Sequence, residues 1–380
     1  MYITDYNVSG ANTAALEDSI MQKGKPVTAG SKILENFISP IDAAVVTKLA
    51  ENGFKIAGKT QMDEFGAFTF SRGCLSGASD AVKSGKAEFA ICNDLFGKYR
   101  REAAENNLCY IHPTYGTVSR YGLIPAASSM DTLGICCKDL TGGFNLLSKI
   151  AGNDERDGVM FPEKSFSYIK TDKKLTVAVP ENVTKLLSET AQKGIKNFAS
   201  KFNAVNTELK YFDLYKQVMY ILSSAEISNN INRYDGIKFG LRAENYNGVN
   251  DLYVKTRTEG FGVNVKLAAI MGAFILSQDN YVPYYEQAMK MRRLIKESLR
   301  FDEYDIIILP TELNEKTESA ENGENSYVNS YENLSLYALA NLAGLACVSF
   351  SYGGQGIMLV SQAKNENALL TAWEVQKNEI

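Results

Sequence analysis

Short apolar runs alternate with helical patterns along most of this chain, and this alternation is the feature that most constrains its fold. The apolar runs predict strands at residues 54–58, 88–92, 175–180, 208–212 and 304–310. Helical periodicity predicts helices at 42–52, 184–201 and 366–376, a long helix through 218–230, and two more between 264 and 300. The runs CVSFSY and GIMLVS predict a hairpin near the end of the chain. Together these patterns predict an α/β fold whose central mixed sheet is covered by helices on both faces.

The 380-residue chain has one low-complexity stretch, ELNEKTESAENGENS. This stretch is polar and acidic, so we predict a mobile surface loop at 312–329. No other segment resembles a linker, and 380 residues suffice for one large core. We therefore predict a single domain over residues 1–380.

Charge and composition exclude several classes of function. The net charge of -4 argues against strong direct binding to nucleic acid. The chain lacks both a run of apolar residues long enough to span a bilayer and a signal-peptide pattern, so we expect a cytoplasmic protein without membrane contact. Its six cysteines show no CxxC spacing and His112 is the only histidine, so we expect neither a metal nor another cofactor.

Four groups of motifs resemble the amidase-signature family, and within it the A subunits of the tRNA-dependent amidotransferases that act on glutamyl-tRNA(Gln) and aspartyl-tRNA(Asn). They are ALEDSI to GKTQMDEF (15–65), HPTYGTVSRYGLIPAASSMDTLG (112–134), a block at 233–266, and a C-terminal group with YYEQAMKMRRLIKESL, YDIIILPT and NLAGLA. The resemblance runs from residue 15 to residue 373. It implies the amidase-signature fold. The match starts just ahead of the family's first catalytic motif, so we interpret residues 1–14 as the divergent N-terminus of a shortened member.

The resemblance also places the family's catalytic triad, which consists of a lysine base, a middle serine and a nucleophilic serine. Glu17 stands at the lysine position, Cys74 at the middle serine and Lys98 at the nucleophile. Lys59 belongs to a different family segment and does not replace the base. An ammonium group has no lone pair with which to attack an amide, and a lysine that did attack would end as a stable amide. The resemblance therefore implies a degenerate member that has lost serine-amidase activity.

The residues around the nucleophile position keep the family's Asp94, Gly97 and Arg100, which fixes the alignment. Leu95, Phe96 and Gly97 form the predicted oxyanion loop. The family has glycine at the position of Phe96, and a phenyl group there would restrict the approach of backbone N–H groups to a substrate.

Several interpretations of these site residues remain open. Glu17 and Lys98 either pair across the old site or each face solvent. Cys74 is either a replacement nucleophile beside Lys98 or an inert small residue. Lys98 and Arg100 either bind a small anion or are neutralised by neighbouring carboxylates such as Glu17 and Asp94.

Substrate recognition is predicted for Asp94 and Arg100, and for Arg292, which matches a family arginine that holds the carboxylate of glutamine. The alternative for Arg292 is a solvated charge on a helix. Leu334 stands where the family has the acidic partner of the substrate amino group, and His112 is interpreted as a structural residue.

Two functions from different classes follow from the resemblance. The first is a catalytically silent protein that binds a partner or a small anionic or amino-acid ligand, with partners resembling the amidotransferase B and C subunits. The second is an active amidohydrolase or amidotransferase subunit that releases ammonia from an amide through Cys74 or through Glu17 and Lys98.

Overall fold

A computed structural model describes residues 2–67, 75–313 and 324–377 of the chain. Its eleven strands form one mixed sheet in the order β1-β3-β2-β4-β6-β5-β10-β11-β9-β7-β8. The strand bounds are β1 Tyr2–Asp5, β2 Thr13–Glu17, β3 Lys55–Thr60, β4 Phe89–Asn93, β5 Cys109–His112, β6 Leu133–Cys137, β7 Thr176–Pro180, β8 Asn203–Thr207, β9 Ile306–Pro310, β10 Ala346–Tyr352 and β11 Gln355–Ser361.

Helices connect and cover these strands. Their bounds are α1 Ala44–Glu51, α2 Gly77–Lys83, α3 Lys98–Glu105, α4 Leu140–Ile150, α5 Glu181–Thr184, α6 Glu189–Ala199, α7 Tyr215–Ile231, α8 Gly248–Gly260, α9 Val263–Leu276, α10 Gln278–Asn280, α11 Gln287–Glu297, α12 Glu324–Ala343 and α13 Glu366–Lys377. A π-helical turn, Tyr281–Glu286, joins α10 to α11, and short 3₁₀ turns occupy Lys32–Leu34, Glu64–Gly66 and Phe212–Leu214. The α/β fold predicted from the sequence is confirmed.

The sheet has a packed core on each face, because successive side chains of a strand point to opposite sides. Ala15 and Ala90 pack with the small side chains of α2 and α3 in one buried cluster. Leu16 and Ile91, their neighbours in sequence, pack with α4 in the larger cluster on the other face. Alternate side chains of β2 and β4 therefore point toward α2 and α3, and the side chains between them point to the opposite face.

The parallel part of the sheet positions the candidate site. β2 pairs in parallel with β3 on one side and with β4 on the other. The carboxyl ends of these three strands therefore lie side by side, and the chain segments that follow them meet at one edge of the sheet. Ligand sites of α/β proteins usually form beyond such strand ends.

One prediction of local structure is wrong, a second misplaces the start of a helix, and a third is wrong in part. The predicted strand 208–212 is absent, and the strand lies instead at β8, on the sheet edge. The predicted helix 184–201 corresponds to α6, which begins later, at Glu189, and ends at Ala199. Residues 324–329 of the predicted mobile loop are helical, because α12 begins at Glu324, whereas 314–323 lie outside the described residues. The C-terminal hairpin is confirmed by the antiparallel pairing of β10 with β11.

Among the helices that the structure describes, none is both long enough and apolar enough to cross a membrane.

Candidate functional site

A buried glutamate stands at the end of β2. Glu17 turns to the same face of the sheet as Ala15, toward α2 and α3, and only 1% of it is exposed. Its carboxylate accepts three hydrogen bonds: from the Tyr99 hydroxyl at 2.5 Å, from the Ser19 hydroxyl at 2.7 Å and from the Asn93 backbone N–H at 3.0 Å. Glu17 therefore has hydrogen-bond partners for both of its oxygens and does not face solvent.

Burial raises the pKa of Glu17 from 4.5 to about 7, because removing a carboxylate from water disfavours its charged form. The hydrogen bonds from Ser19, Tyr99 and Asn93 act in the opposite direction and lower the pKa, whereas the nearby charge of Asp94 raises it further. The three donors thus offset only some of the cost of burial.

Lys98 is the first residue of α3, and its ammonium group contacts two carboxylates. Nζ lies 2.5 Å from Oδ2 of Asp63 and 3.9 Å from Oε1 of Glu102, and 11% of the side chain is exposed. Asp63 comes from the segment after β3, next to the 3₁₀ turn Glu64–Gly66. The ion pair between Glu17 and Lys98, one of the two arrangements left open by the sequence, is therefore not formed, because each side chain bonds to closer neighbours.

The carboxylate of Glu102 links Lys98 to the start of α2. Its Oε2 accepts hydrogen bonds from the Ser79 hydroxyl at 3.0 Å and from the Ser76 N–H at 3.1 Å. The Ser76 hydroxyl in turn caps α2 by accepting from the Ser79 N–H at 3.2 Å. Lys98 is thus part of a polar network that holds α2 against α3.

Asp94 and Arg100 form a buried ion pair. Oδ2 of Asp94 accepts from Nε of Arg100 at 2.8 Å, and the same carboxylate accepts from the N–H groups of Tyr99 and Arg100 at the start of α3. The guanidinium also donates to Oδ1 of Asn341 at 2.7 Å and to the carbonyl oxygen of Tyr337 at 3.1 Å. Of the two alternatives for Arg100, the geometry favours neutralisation by Asp94 over anion binding.

Side chains pack closely around the predicted oxyanion loop. Leu95 and Phe96 are both buried in the larger hydrophobic cluster. Gly97 has φ 83°, and a Cβ atom added there would lie 2.0 Å from the ring of Tyr337. That ring also covers the Arg100 guanidinium at 5.3 Å, and its hydroxyl donates to the carbonyl oxygen of Thr311. The backbone of the loop is therefore packed closely against Tyr337.

A second buried lysine lies at the ends of β2 and β3. Lys59 donates to the carbonyl oxygen of Ile20, and its Nζ lies 3.8 Å from Oδ1 of Asp18. Burial lowers the pKa of Lys59 to about 8, although Asp18 and Glu17 act in the opposite direction. Asp18 also accepts from the Thr28 N–H at 2.9 Å. These contacts hold the chain where it leaves β2.

Arg292, which was predicted to contact a substrate carboxylate, donates hydrogen bonds to other residues of this chain. Nε donates to the carbonyl oxygen of Leu342 at 2.7 Å, and the two terminal nitrogens donate to the hydroxyl and carbonyl oxygens of Ser129 at 2.7 and 2.9 Å. Arg292 thus connects α11 to α12 and to the segment before β6. Leu334, which stands at the position of the family's acidic residue, is buried among apolar side chains.

Two other residues singled out in the sequence have different outcomes. His112 is fully buried, and burial lowers its pKa well below the usual range, so the imidazole is neutral. Cys74 lies outside the described residues. Within residues 2–67, 75–313 and 324–377, no group of three or more histidine, cysteine, aspartate and glutamate side chains could hold a metal ion.

Sequence reasoning missed the contact partners of the predicted site residues, among them Asp63, Ser76, Tyr99 and Glu102. Two of them left a signal in the sequence. Tyr99 directly follows Lys98, and Asp63 lies in GKTQMDEF, whose strand pairs with that of Glu17. The partners of Lys98 depend on how α2, α3 and β3 pack together, which the motifs alone do not specify.

The fold and the site define an α/β protein with a buried polar centre beyond the carboxyl ends of three parallel strands. The family model described as Amidase matches residues 13–80 and 73–370. Because these ranges cover most of its length, the chain belongs to the amidase family.

Its relatives include subunits of tRNA-dependent enzymes. The A subunit of the glutamyl-tRNA(Gln) amidotransferase of Lachnoclostridium phytofermentans is 36% identical over 327 residues, which cover 78% of this chain but 66% of the relative. The corresponding protein of Moraxella catarrhalis is 34% identical over 398 residues, with coverage of 94% and 80%. The chain thus spans from about two thirds to four fifths of the length of these relatives.

Solved structures share the same fold. The A subunit of the glutamyl-tRNA(Gln) amidotransferase of Thermotoga maritima matches with a TM-score of 0.74 at 26% identity, covering 97% of this chain and 85% of that one. The peptide amidase of Stenotrophomonas maltophilia matches with a TM-score of 0.73 at 19% identity, covering 96% and 82%. This second likeness concerns the fold alone.

Proposed function

We propose that this chain is a degenerate member of the amidase family, similar to the A subunit of glutamyl-tRNA amidotransferase, that no longer hydrolyses amides and serves as a binding subunit. The observation that carries the proposal is the state of Glu17. At the position of the family's lysine base, a buried carboxylate accepts hydrogen bonds from Ser19, Asn93 and Tyr99. This arrangement supports a structural role for the residue.

The surroundings of Lys98 support the same conclusion. Its ammonium group is held by Asp63 and Glu102, and a neighbouring carboxylate stabilises the charged form of an amine. A charged ammonium cannot attack an amide carbonyl. Loss of the nucleophile of a serine hydrolase costs about 10⁶ in turnover, so we expect activity near the background rate.

The test is an amide-hydrolysis assay. The purified chain is incubated with glutamine, asparagine and an aryl amide, and release of ammonia or of the aryl amine is measured beside an active amidase as positive control. We expect no turnover above that of heat-denatured protein. Turnover that disappears in Cys74→Ala or Glu17→Gln would overturn the proposal and establish the alternative, an active amidohydrolase or amidotransferase subunit.

One observation favours that alternative. The pKa of Glu17 is about 7, a value suited to a general base at neutral pH. The two variants separate the possible mechanisms. If Cys74→Ala abolishes turnover, the thiol is the nucleophile. If only Glu17→Gln does so, the carboxylate acts in a reaction that does not use the thiol.

The first binding role that we propose is assembly with partner subunits. Those relatives are named as A subunits, so we propose partners resembling the B and C subunits and, by the same reasoning, a role connected with glutamine and tRNA-dependent amidation in the cytoplasm. Co-purification of the chain with co-expressed B and C subunits tests this assembly, and their separate elution would contradict it.

A small anionic or amino-acid ligand is the second binding role that we propose. A thermal-shift screen with glutamine, glutamate, asparagine and inorganic phosphate tests it. A ligand present at 100 times its Kd stabilises the folded state by about 2.7 kcal/mol, which moves the melting temperature by a few degrees. An unchanged melting temperature with every compound would leave only the protein partners.

A further inference from the structure

Helix α9 is apolar on two opposite sides, and only one of them is covered. Val265, Ala268, Gly272 and Ile275 are buried. They pack against α7 so closely that a Cβ atom at Gly272 would lie 2.3 Å from Ser228. A helix that is apolar all round normally has a neighbour on every side. On the side of α9 opposite α7, the only ring contact among the described residues is that of Phe274 with Tyr284, and the apolar side chains there remain largely exposed.

The uncovered side carries a regular stripe of large apolar side chains, which we call the α9 seam: Val263, Leu267, Ile270 and Phe274. Val263 is 72% exposed and Ile270 66% exposed. The residues follow each other at intervals of four, three and four, which is the spacing of the contact line between two packed helices. The ring of Tyr284, 5.5 Å from that of Phe274, extends the stripe onto the π-helical turn.

We propose that the α9 seam is the interface of a homodimer, in which the seams of two copies of this chain pack antiparallel across a two-fold axis. If the axis passes between Leu267 and Ile270, Leu267 of one copy faces Ile270 of the second copy, and Val263 of one faces Phe274 of the other. A two-fold interface needs such a self-complementary line of side chains.

The charges around the seam are compatible with self-association. Three of the four positions that flank it, Asn264, Met271 and Ala273, are uncharged. The fourth, Lys266, donates to the carbonyl oxygen of Thr258 in its own chain at 2.7 Å. Two copies can therefore approach without bringing like charges together along the seam.

The exposed area of the seam accounts for more than half of what a standard dimer interface needs. The four seam residues and Tyr284 expose roughly 500 Å² on each copy, against about 800 Å² per partner in a standard interface. Flanking side chains would supply the remainder. A membrane surface is a poorer occupant, because interfacial helices are rich in lysine and arginine beside the apolar stripe. The seam is flanked by a single lysine, Lys266, and the acidic residues Asp279 and Glu286 follow it in the chain.

Sedimentation velocity of the full chain across micromolar concentrations tests the proposal. We expect a species of twice 41.9 kDa. Leu267→Glu and Ile270→Glu should each weaken dimerisation roughly a hundredfold or more, because an unpaired carboxylate would be buried in the interface. Val254→Glu is the matched control: Val254 is 64% exposed on α8, outside the seam, and this variant should remain dimeric.

The circular dichroism spectra of all three variants should match the wild type, since the altered side chains are exposed on each copy. The melting temperature of Val254→Glu should also match, whereas the two seam variants should lose the concentration-dependent part of the melting temperature that dimerisation contributes. A wild-type chain that stays monomeric throughout would overturn the proposal, as would a dimer that survives both seam variants. Binding of a monomeric wild type to phosphatidylserine vesicles, lost in Ile270→Glu, would assign the seam to a membrane instead.

Discussion

The buried carboxylate of Glu17 should make stability depend on pH in an unusual direction. Its pKa is raised from 4.5 to about 7 in the folded protein, so the folded state binds the proton more tightly than the unfolded state. The contribution of Glu17 to stability is therefore highest below pH 4.5 and is lost as the pH rises through about 7. The interval of about 2.5 pH units at about 1.4 kcal/mol each gives a loss of about 3 kcal/mol. Glu17→Gln, which cannot ionise, should not show this loss.

Urea unfolding of the wild type and of Glu17→Gln at several pH values between about 4.5 and 8.5 measures the effect by linear extrapolation. Other buried acids, such as Asp131 and Glu366, also titrate, but they contribute equally to both proteins and cancel in the difference. We expect the free energy of unfolding of Glu17→Gln, relative to wild type, to rise by about 3 kcal/mol across this range.

Glu35→Gln, a change at an exposed position, serves as the control and should show no such trend. The reasoning would be refuted by a difference between Glu17→Gln and wild type that is constant with pH. It would be refuted equally by a wild type that gains stability relative to Glu17→Gln as the pH rises, because the hydrogen bonds to Glu17 would then outweigh its burial.

Three further predictions concern α3 and its surroundings. Asp94→Ala should lower the free energy of unfolding by about 3–5 kcal/mol in urea titrations, because it leaves the buried guanidinium of Arg100 without its carboxylate. Gly97→Ala should cost about 3 kcal/mol in the same assay, since it combines a positive φ with a clash against Tyr337, and a cost below about 0.5 kcal/mol would contradict that packing. Lys98→Ser alone should not produce ammonia from glutamine, because the base is still missing; ammonia release that grows with enzyme concentration would show otherwise.

The fold was largely predictable, because most of its strands are buried and leave a strong apolar signal. β9 is buried along its whole length and was found from the run IIILP. β8 was missed, since this edge strand pairs on one side only and its sequence, NAVNT, is mostly exposed. The apolar run that was predicted instead, at 208–212, leads into a 3₁₀ turn and α7. The apolar runs that reveal strands in this sequence therefore reflect the burial of those strands and not strand propensity.

Sequence motifs name candidate residues for the site, but they do not specify the contacts of those residues. The motif Asp-Leu-Phe-Gly-Lys-Tyr-Arg fixed the positions of Asp94, Lys98 and Arg100. It could not show that Tyr99, one residue after Lys98, turns its hydroxyl to Glu17. Successive residues of a helix point about 100° apart, so adjacent side chains of α3 reach different partners. Opposite charges at two site positions were therefore insufficient grounds for predicting that they pair.

Glu17 and Lys98 are each matched to their own surroundings, so we expect that neither can be changed alone to the residue of the family's triad without a loss of stability. The N–H of Asn93 can only donate, so a lysine at position 17 would turn an ammonium group toward a donor. A serine at position 98 would remove the cation next to Asp63 and Glu102, and burial already raises the pKa of Glu102. We expect each reversion to remove one partner of a buried polar group, here the N–H of Asn93 or the carboxylate of Glu102, which costs about 1–3 kcal/mol. Recovery of the family's triad would require changes at Glu17, Lys98 and their partners together.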